Sequence, residues 1–337
     1  MTSAATSSRD LVRRSLQGSS TDRTPVIMHL GMYAPRLQQL TFHKVAHDPT
    51  LLANAVQSAQ KLFGCDGVIP LIDTTLEAES CGCRVVWTEK DEPAVMSHPL
   101  ADGTGGEGLG GEISSQPTGR LAVALEATQR LGTIMGRTVA LLPAITGPVT
   151  IGQHLRGPGF LTELNQGEDA AADTLAIATR TTLDVARHYL DAEMEFLVVV
   201  DPLLAYVEPE HLSWIADALL PLWNVAGFFG AQVLLQTRTS GRPHLDGCLN
   251  FGADALVLEE GMPGDAVDLP TVREACIGAA VPPSLLGLEI AEIEFTAESW
   301  RRETCPPGSF LTFSTVPRST PPENVQALLR AVSGHVL

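Results

Sequence analysis

The apolar residues of this chain gather into eight short runs separated by stretches with helical spacing. The runs are Pro25 to Gly31, Gly67 to Asp73, Val139 to Ile145, Glu195 to Asp201, Ala231 to Thr237, Ala253 to Glu259, Val281 to Gly287 and Ser309 to Thr315. Most are nearly continuous in apolar residues instead of alternating, which is how strands covered on both faces read in a parallel sheet. Between the runs, Pro49 to Phe63 places Leu51, Leu52, Ala55, Val56, Ala59 and Leu62 on one helical face. Asp48-Pro49 in front of it supplies an N-cap and a first helical residue. Pro209 to Phe229, Asp268 to Ile277 and Pro321 to Val332 repeat the helical spacing. Strand and helix alternating eight times, with right-handed crossovers, predict an α/β chain closed into a (β/α)8 TIM barrel. An open doubly wound sheet is the competing arrangement.

One barrel domain is expected over 25–337, preceded by a flexible Ser/Thr/Arg-rich segment over 1–24. Ala101 to Gln116 holds six glycines and no strand former, and is expected to be a loop beside the barrel mouth. It lacks the Gly-Lys-Ser/Thr run, the preceding strand and the cation of a phosphate-cradling loop. No run of about 18 uninterrupted apolar residues occurs, so no membrane span is expected. The N-terminus lacks the apolar core of a signal peptide, which suggests a cytoplasmic protein.

Charge narrows the partners. With 39 acidic and 22 basic residues the net charge is −17, a field that repels phosphate backbones and anionic lipid. Nucleic acid and membrane surfaces are therefore not expected partners; a small-molecule substrate is. The six cysteines are scattered, as reduced thiols are, and form no disulfide framework.

In a barrel of this kind the polar groups at the carboxyl ends of the strands face the active site. That collects His29, Asp73, Asp201, Gln236, Arg238, Glu259 or Glu260, and Ser314 around one mouth. Asp73 and His29 are the candidate catalytic residues, a carboxyl and an imidazole suited to proton transfer. Arg238 can hold a carboxylate or phosphate bidentately, or pair with Asp201 or Glu260. Tyr33, Gln236, Asp201, Glu260 and Ser314 complete a substrate-binding set. His43 with His47, Cys81 with Cys83, and His244 with Cys248 are close pairs without two further ligands, so no metal site is assigned to them.

Several segments carry a family resemblance. They are DPTLLANAVQSAQKLFGCDGVIPLIDTTLEAESCGCRVVW (Asp48 to Trp87), TGPVTIGQHLRG (Thr146 to Gly157), FLVVVDPLLAYVEPEHL (Phe196 to Leu212), FGADALVLEE and STPPENVQALLRAV. In this order they resemble the uroporphyrinogen decarboxylase superfamily, which also contains zinc-dependent corrinoid methyltransferases. The resemblance implies a barrel fold, an Asp near the second strand, matched by Asp73, and a homodimer as one arrangement. In the methyltransferase branch a His-x-Cys after the fifth strand and a Cys after the eighth hold zinc. Here Gln236, Arg238 and Ser314 stand in those places, so zinc is not expected. The decarboxylase branch carries arginines after the first strand, and here only Arg36 remains. No corrinoid-binding Asp-x-His-x-x-Gly run occurs, so a corrinoid would arrive on a partner protein.

These features imply a zinc-independent methyltransferase-like enzyme acting between a small anionic substrate and a corrinoid or other acceptor. The alternatives are a decarboxylase-type lyase on a porphyrin or non-porphyrin substrate, with Asp73 stabilising a protonated intermediate, and a non-catalytic barrel serving as a binding subunit.

Overall fold

The computed structural model describes residues 6–88, 90–101, 117–259, 275–304, 309–313 and 315–333. Its strands are β1 (Val26–His29), β2 (Gly67–Ile69), β3 (Val85–Trp87), β4 (Pro93–Val95), β5 (Ala140–Leu141), β6 (Ala144–Thr146), β7 (Phe196–Val200), β8 (Gln232–Thr237), β9 (Ala255–Leu258), β10 (Ile277–Ala280) and β11 (Phe310–Phe313). Apart from the antiparallel β3–β4 hairpin, all lie in one sheet in the order β5-β2-β1-β11-β10-β9-β8-β7-β6, paired in parallel.

The sheet's two outer segments are halves of one run. Pro143 has no N–H to donate to a ladder, so the run divides there and changes partner. Leu142 N still donates to Val68 O (2.9 Å), whereas Pro143 O accepts from Val198 N (2.9 Å). Counting β5 and β6 as one strand gives eight, closed into the expected (β/α)8 barrel. The apolar side chains separate into two sets by strand alternation. Ile27, Phe196, Val198, Val200, Leu234, Val257 and Phe310 form one cluster, the barrel interior. Val26, Met28, Leu197, Val199, Val233 and Leu235 join the layer beneath the helices.

Interior packing is tight at Gly278. A β-carbon there would lie 2.4 Å from the Phe310 ring. Gly278→Ala should therefore lower stability by about 1–3 kcal/mol through overpacking, read as a fall in Tm. An unchanged Tm would mean that the ring has room to move aside.

The helices are α1 (Ser8–Leu16), α2 (Ala34–Leu37), α3 (Phe42–Val45), α4 (Pro49–Phe63), α5 (Leu76–Ser80), α6 (Gly119–Met135), α7 (Pro148–Arg156), α8 (Phe160–Asn165), α9 (Asp169–Asp191), α10 (Leu212–Phe229), α11 (Arg242–Leu249), α12 (Ile290–Thr304) and α13 (Pro322–Ser333). α4 begins as its sequence suggests: Asp48 Oδ1 accepts from Thr50 N (2.8 Å) and Leu51 N (3.0 Å). It ends on Gly64, whose φ of 65° suits a residue without a β-carbon.

Three expectations are corrected. The segment 1–24 is not a flexible leader throughout. From Ser8 it forms α1, whose Val12 and Leu16 plug the N-terminal end of the barrel. Ser8 Oγ donates to Asp66 Oδ1 (2.6 Å), and Arg9 and Arg13 pair with Glu195 just before β7. Its polar composition conceals the buried stripe Leu11, Val12, Ser15 and Leu16.

The seventh strand is Ile277–Ala280 instead of Val281 to Gly287. Pro282 and Pro283 cannot donate to a ladder, and Pro283–Gly287 turns into a short 3-10 helix. The helix expected from Asp268 falls largely outside the described residues, and its last residue, Ile277, opens β10.

The span Pro209–Phe229 is long and apolar enough to cross a membrane by length and composition. Its place is that of a crossover helix between β7 and β8, with Leu212, Ile215, Leu219, Leu222 and Ala226 buried. The Gly-rich loop, apart from Ala101, lies outside the described residues. The five cysteines among the described residues are free thiols.

Candidate active site

The carboxyl ends of β8 and β9 are neighbours, with Thr237 opposite Leu258. Glu259, one residue beyond β9, therefore meets two side chains from the end of β8. Its Oε1 accepts from Gln236 Nε2 (3.0 Å) and its Oε2 from Arg238 Nε (3.0 Å). Arg238 keeps 42% of its side chain exposed at the mouth. Gln236 Oε1 is buried without a hydrogen-bond partner among the described residues. Glu260 and Ser314 lie outside the described residues.

The zinc that the resemblance implies does not fit this set. A guanidinium has no lone pair to give and carries a permanent positive charge, and it occupies a position where a thiolate would be needed. Among the described residues no three His, Cys, Asp or Glu side chains converge as metal ligands.

Asp73 sits in a second polar cluster, in the loop after β2. Its Oδ1 accepts from Thr75 N (2.9 Å) and Thr75 Oγ1 (2.7 Å), and its Oδ2 pairs with Nη1 of Arg120. Arg120 Nη2 donates to Thr75 Oγ1 (2.8 Å) and its Nε to Glu79 Oε2 (2.8 Å). The guanidinium also stands 5.5 Å from the centre of the Trp87 ring. Side-chain exposure is 2% for Arg120 and 1% for Asp73. Asp73 is thus held on both oxygens, and any proton transfer through it must first break the pair with Arg120.

His29 is buried beside this cluster. Its Nε2 accepts from Ile72 N (3.0 Å), which places the ring proton on Nδ1 and ties the end of β1 to the residue next to Asp73. Proton transfer at Nε2 would cost that bond.

Two expected substrate ligands have other duties. Tyr33 is buried and donates its hydroxyl to Thr320 O (2.7 Å), fastening the β1 loop to the segment before α13. Asp201 is buried and turned outward from the barrel. Its Oδ2 accepts from Val149 N (2.9 Å), and its Oδ1 from Thr150 N (3.0 Å) and Thr150 Oγ1 (2.6 Å), capping α7 from a neighbouring strand. Burial pushes its pKa up to about 6 against those hydrogen bonds. Gly147 makes the approach possible, since a β-carbon there would lie 2.4 Å from Asp201. Neither residue is positioned to hold substrate.

Three residues were not anticipated. Arg120 follows the Gly-rich stretch as a single arginine at a helix start, with no motif around it. Glu77 is fully buried, accepts from Thr146 N (2.9 Å) and also bonds the Thr146 hydroxyl; burial raises its pKa. It was visible only as part of Glu77-Ala78-Glu79. His154, in α7, has a buried Nε2 without a partner among the described residues. Burial first, then nearby His98, lower its pKa to about 4, so the ring is neutral near pH 7.

A methylated-thiol–coenzyme M methyltransferase of Methanosarcina mazei is 25% identical over 174 residues, 52% of this chain and 42% of the relative. The methylcobamide:CoM methyltransferase MtbA of the same organism is 23% identical over 202 residues, 59% of each chain. The chain thus spans about half the length of these curated relatives. A solved methyltransferase from Methanosarcina mazei superposes with a TM-score of 0.81 at 20% identity, covering 96% of this chain and 98% of the other, a likeness of fold. The uroporphyrinogen decarboxylase (URO-D) family model matches residues 7–335. The chain belongs to the uroporphyrinogen decarboxylase family.

Proposed function

We propose that this protein is a methyltransferase of its family that works without zinc, moving a methyl group between a small anionic substrate and a corrinoid or other acceptor brought by a partner protein. The supporting observation is the half-exposed Arg238, bonded to Glu259, at the position where the methyltransferase branch places a zinc ligand. Relatives named for methyl transfer to coenzyme M support this reaction class. When bound, the corrinoid supplies a cobalt that carries the methyl group.

This chain's own residues bind and orient. Arg238 attracts the substrate's negative group, and Glu259 orients the guanidinium plane through its bond to Nε. Gln236 Oε1 supplies an acceptor in the wall.

The test is incubation with methylcobalamin and thiol or amine acceptors, followed through the cobalt absorbance, alongside metal analysis of the purified protein. Turnover without stoichiometric zinc is expected. Arg238→Gln should lower kcat/KM by about 10- to 100-fold, the worth of one charge-assisted hydrogen bond. A full equivalent of zinc, or absence of turnover with every acceptor, would refute the proposal. Release of CO2 from a carboxylated substrate would replace it with the lyase reading.

A further inference from the structure

We propose that a cleft on the outer rim of the barrel mouth binds an organic anion with an apolar body, at a site separate from Arg238. The cleft, of about 620 Å³, lies between the β1 loop, the tip of the β3–β4 hairpin and the segment after β11. Met32, Leu40 and Phe42 form its apolar side, and Arg36, Lys90 and Arg318 bring three cations to it. Against the one carboxylate of the described lining, Asp91, they leave it net positive, opposite in sign to the chain's net charge of −17.

Among the described residues the only carboxylate lining the cleft, Asp91, is already engaged. Asp91 accepts from Phe42 N and from His43 N (2.9 Å), capping α3, and stands 3.4 Å from Arg318. Arg318 donates to the carbonyls of Lys90 (3.0 Å) and Asp91 (3.2 Å), and Arg36 donates to Thr320 O. These bonds hold the two guanidinium groups in place, and the ion pair with Asp91 offsets the charge of Arg318 but not that of Arg36. Among the described residues no carboxylate pairs with Arg36 or Lys90. Each guanidinium has five N–H donors, so donors remain on both for a ligand.

Backbone strain collects here as well. Gln39 (φ 56°) and Asp91 (φ 60°) both line the cleft and are two of the three non-glycine residues with left-handed backbone among those described. Each such residue costs roughly 1–2 kcal/mol, a cost that tends to survive where a surface must keep a set shape for a ligand.

Size and position define the ligand. Clefts of roughly 300–1,000 Å³ suit an organic molecule, not a bare inorganic anion. The apolar side then takes a hydrocarbon or ring, and the cations take a carboxylate, sulfonate or phosphate group. In the barrel order β1-β11-β10-β9-β8, Arg238 lies four strands of eight away, on the far side of the mouth. Occupancy of the rim cleft is therefore independent of the methyl-transfer reading.

Calorimetric titration of the full chain with naphthalene-1-sulfonate at low ionic strength tests the site. Saturable 1:1 binding is expected, weakened by added salt. Lys90→Gln and Arg36→Gln should each weaken it by about tenfold, one charge-assisted contact apiece, whereas Arg238→Gln should leave it unchanged. Because the Lys90 side chain makes no hydrogen bond among the described residues, that variant tests binding without risk to the fold. Failure to saturate, equal affinity in Lys90→Gln, or a matching loss in Arg238→Gln would each overturn the proposal.

Discussion

Replacing Arg120 by alanine should destabilise the protein by roughly 3–5 kcal/mol, the cost of breaking a buried ion pair by removing one partner. Among the described residues Arg120 is the only cation bonded to Asp73, and both side chains are almost fully out of water. Without it, Asp73 keeps only the Thr75 donors, Glu79 loses its partner, and a hollow opens against Trp87. The measurement is denaturant unfolding of wild type, Arg120→Ala, Asp73→Asn and the Asp73→Asn/Arg120→Met double variant. The double variant should recover much of the loss, since it removes both charges and refills the volume. A single-variant loss below about 1 kcal/mol would show that water reaches the pair and that it behaves as a surface bridge.

Asp201→Asn should change how stability depends on pH. Burial raises the folded-state pKa of Asp201 to about 6, whereas an unfolded aspartate titrates at about 3.9. Between those values the unfolded chain releases its proton first. The group's contribution is therefore fully present below about pH 4 and is lost as pH rises through about 6. Roughly two units at 1.36 kcal/mol each make about 3 kcal/mol. Asparagine does not titrate, so from about pH 4 to about pH 7 the stability difference should move toward the variant by about 2 kcal/mol, the rest of the change lying below pH 4. At the acid end the variant should be the weaker protein, because its amide N–H faces the N-terminal donors of α7 that Asp201 accepts. Glu77, also raised by burial, contributes a slope of the same sign in both proteins and cancels in the difference. Chemical denaturation at the two pH values decides the matter. A flat difference would mean that Asp201 stays ionised throughout, its three hydrogen bonds outweighing its burial.

Much of the fold was legible because the barrel demands continuous apolar strands. Seven of the eight runs lie on strands of the sheet, and α4, α10 and α13 sit where helical spacing put them. The misplaced seventh strand shows the limit of that reasoning. Ile277-Gly278-Ala279-Ala280 is too small and short to stand out, but Gly278 is what admits the Phe310 ring. The site was harder to read. Arg238 and Gln236 were found from strand ends and do meet, at Glu259. Tyr33 and Asp201 are engaged by backbone groups instead, because residue type and position say nothing about which backbone groups need a partner nearby.

The sequence alone determined the eightfold alternation and the strand ends that form a mouth, Arg238 among them, since each is a local property of residue type and order. Only the tertiary structure decided which groups meet. Arg120 reaches Asp73 across 47 residues of chain. Asp201 turns out of the barrel because Val200 before it turns in, and a run apolar on both faces hides the phase of its alternation. Phase and long-range contact arise from strands packing on one another, and a linear chain records neither.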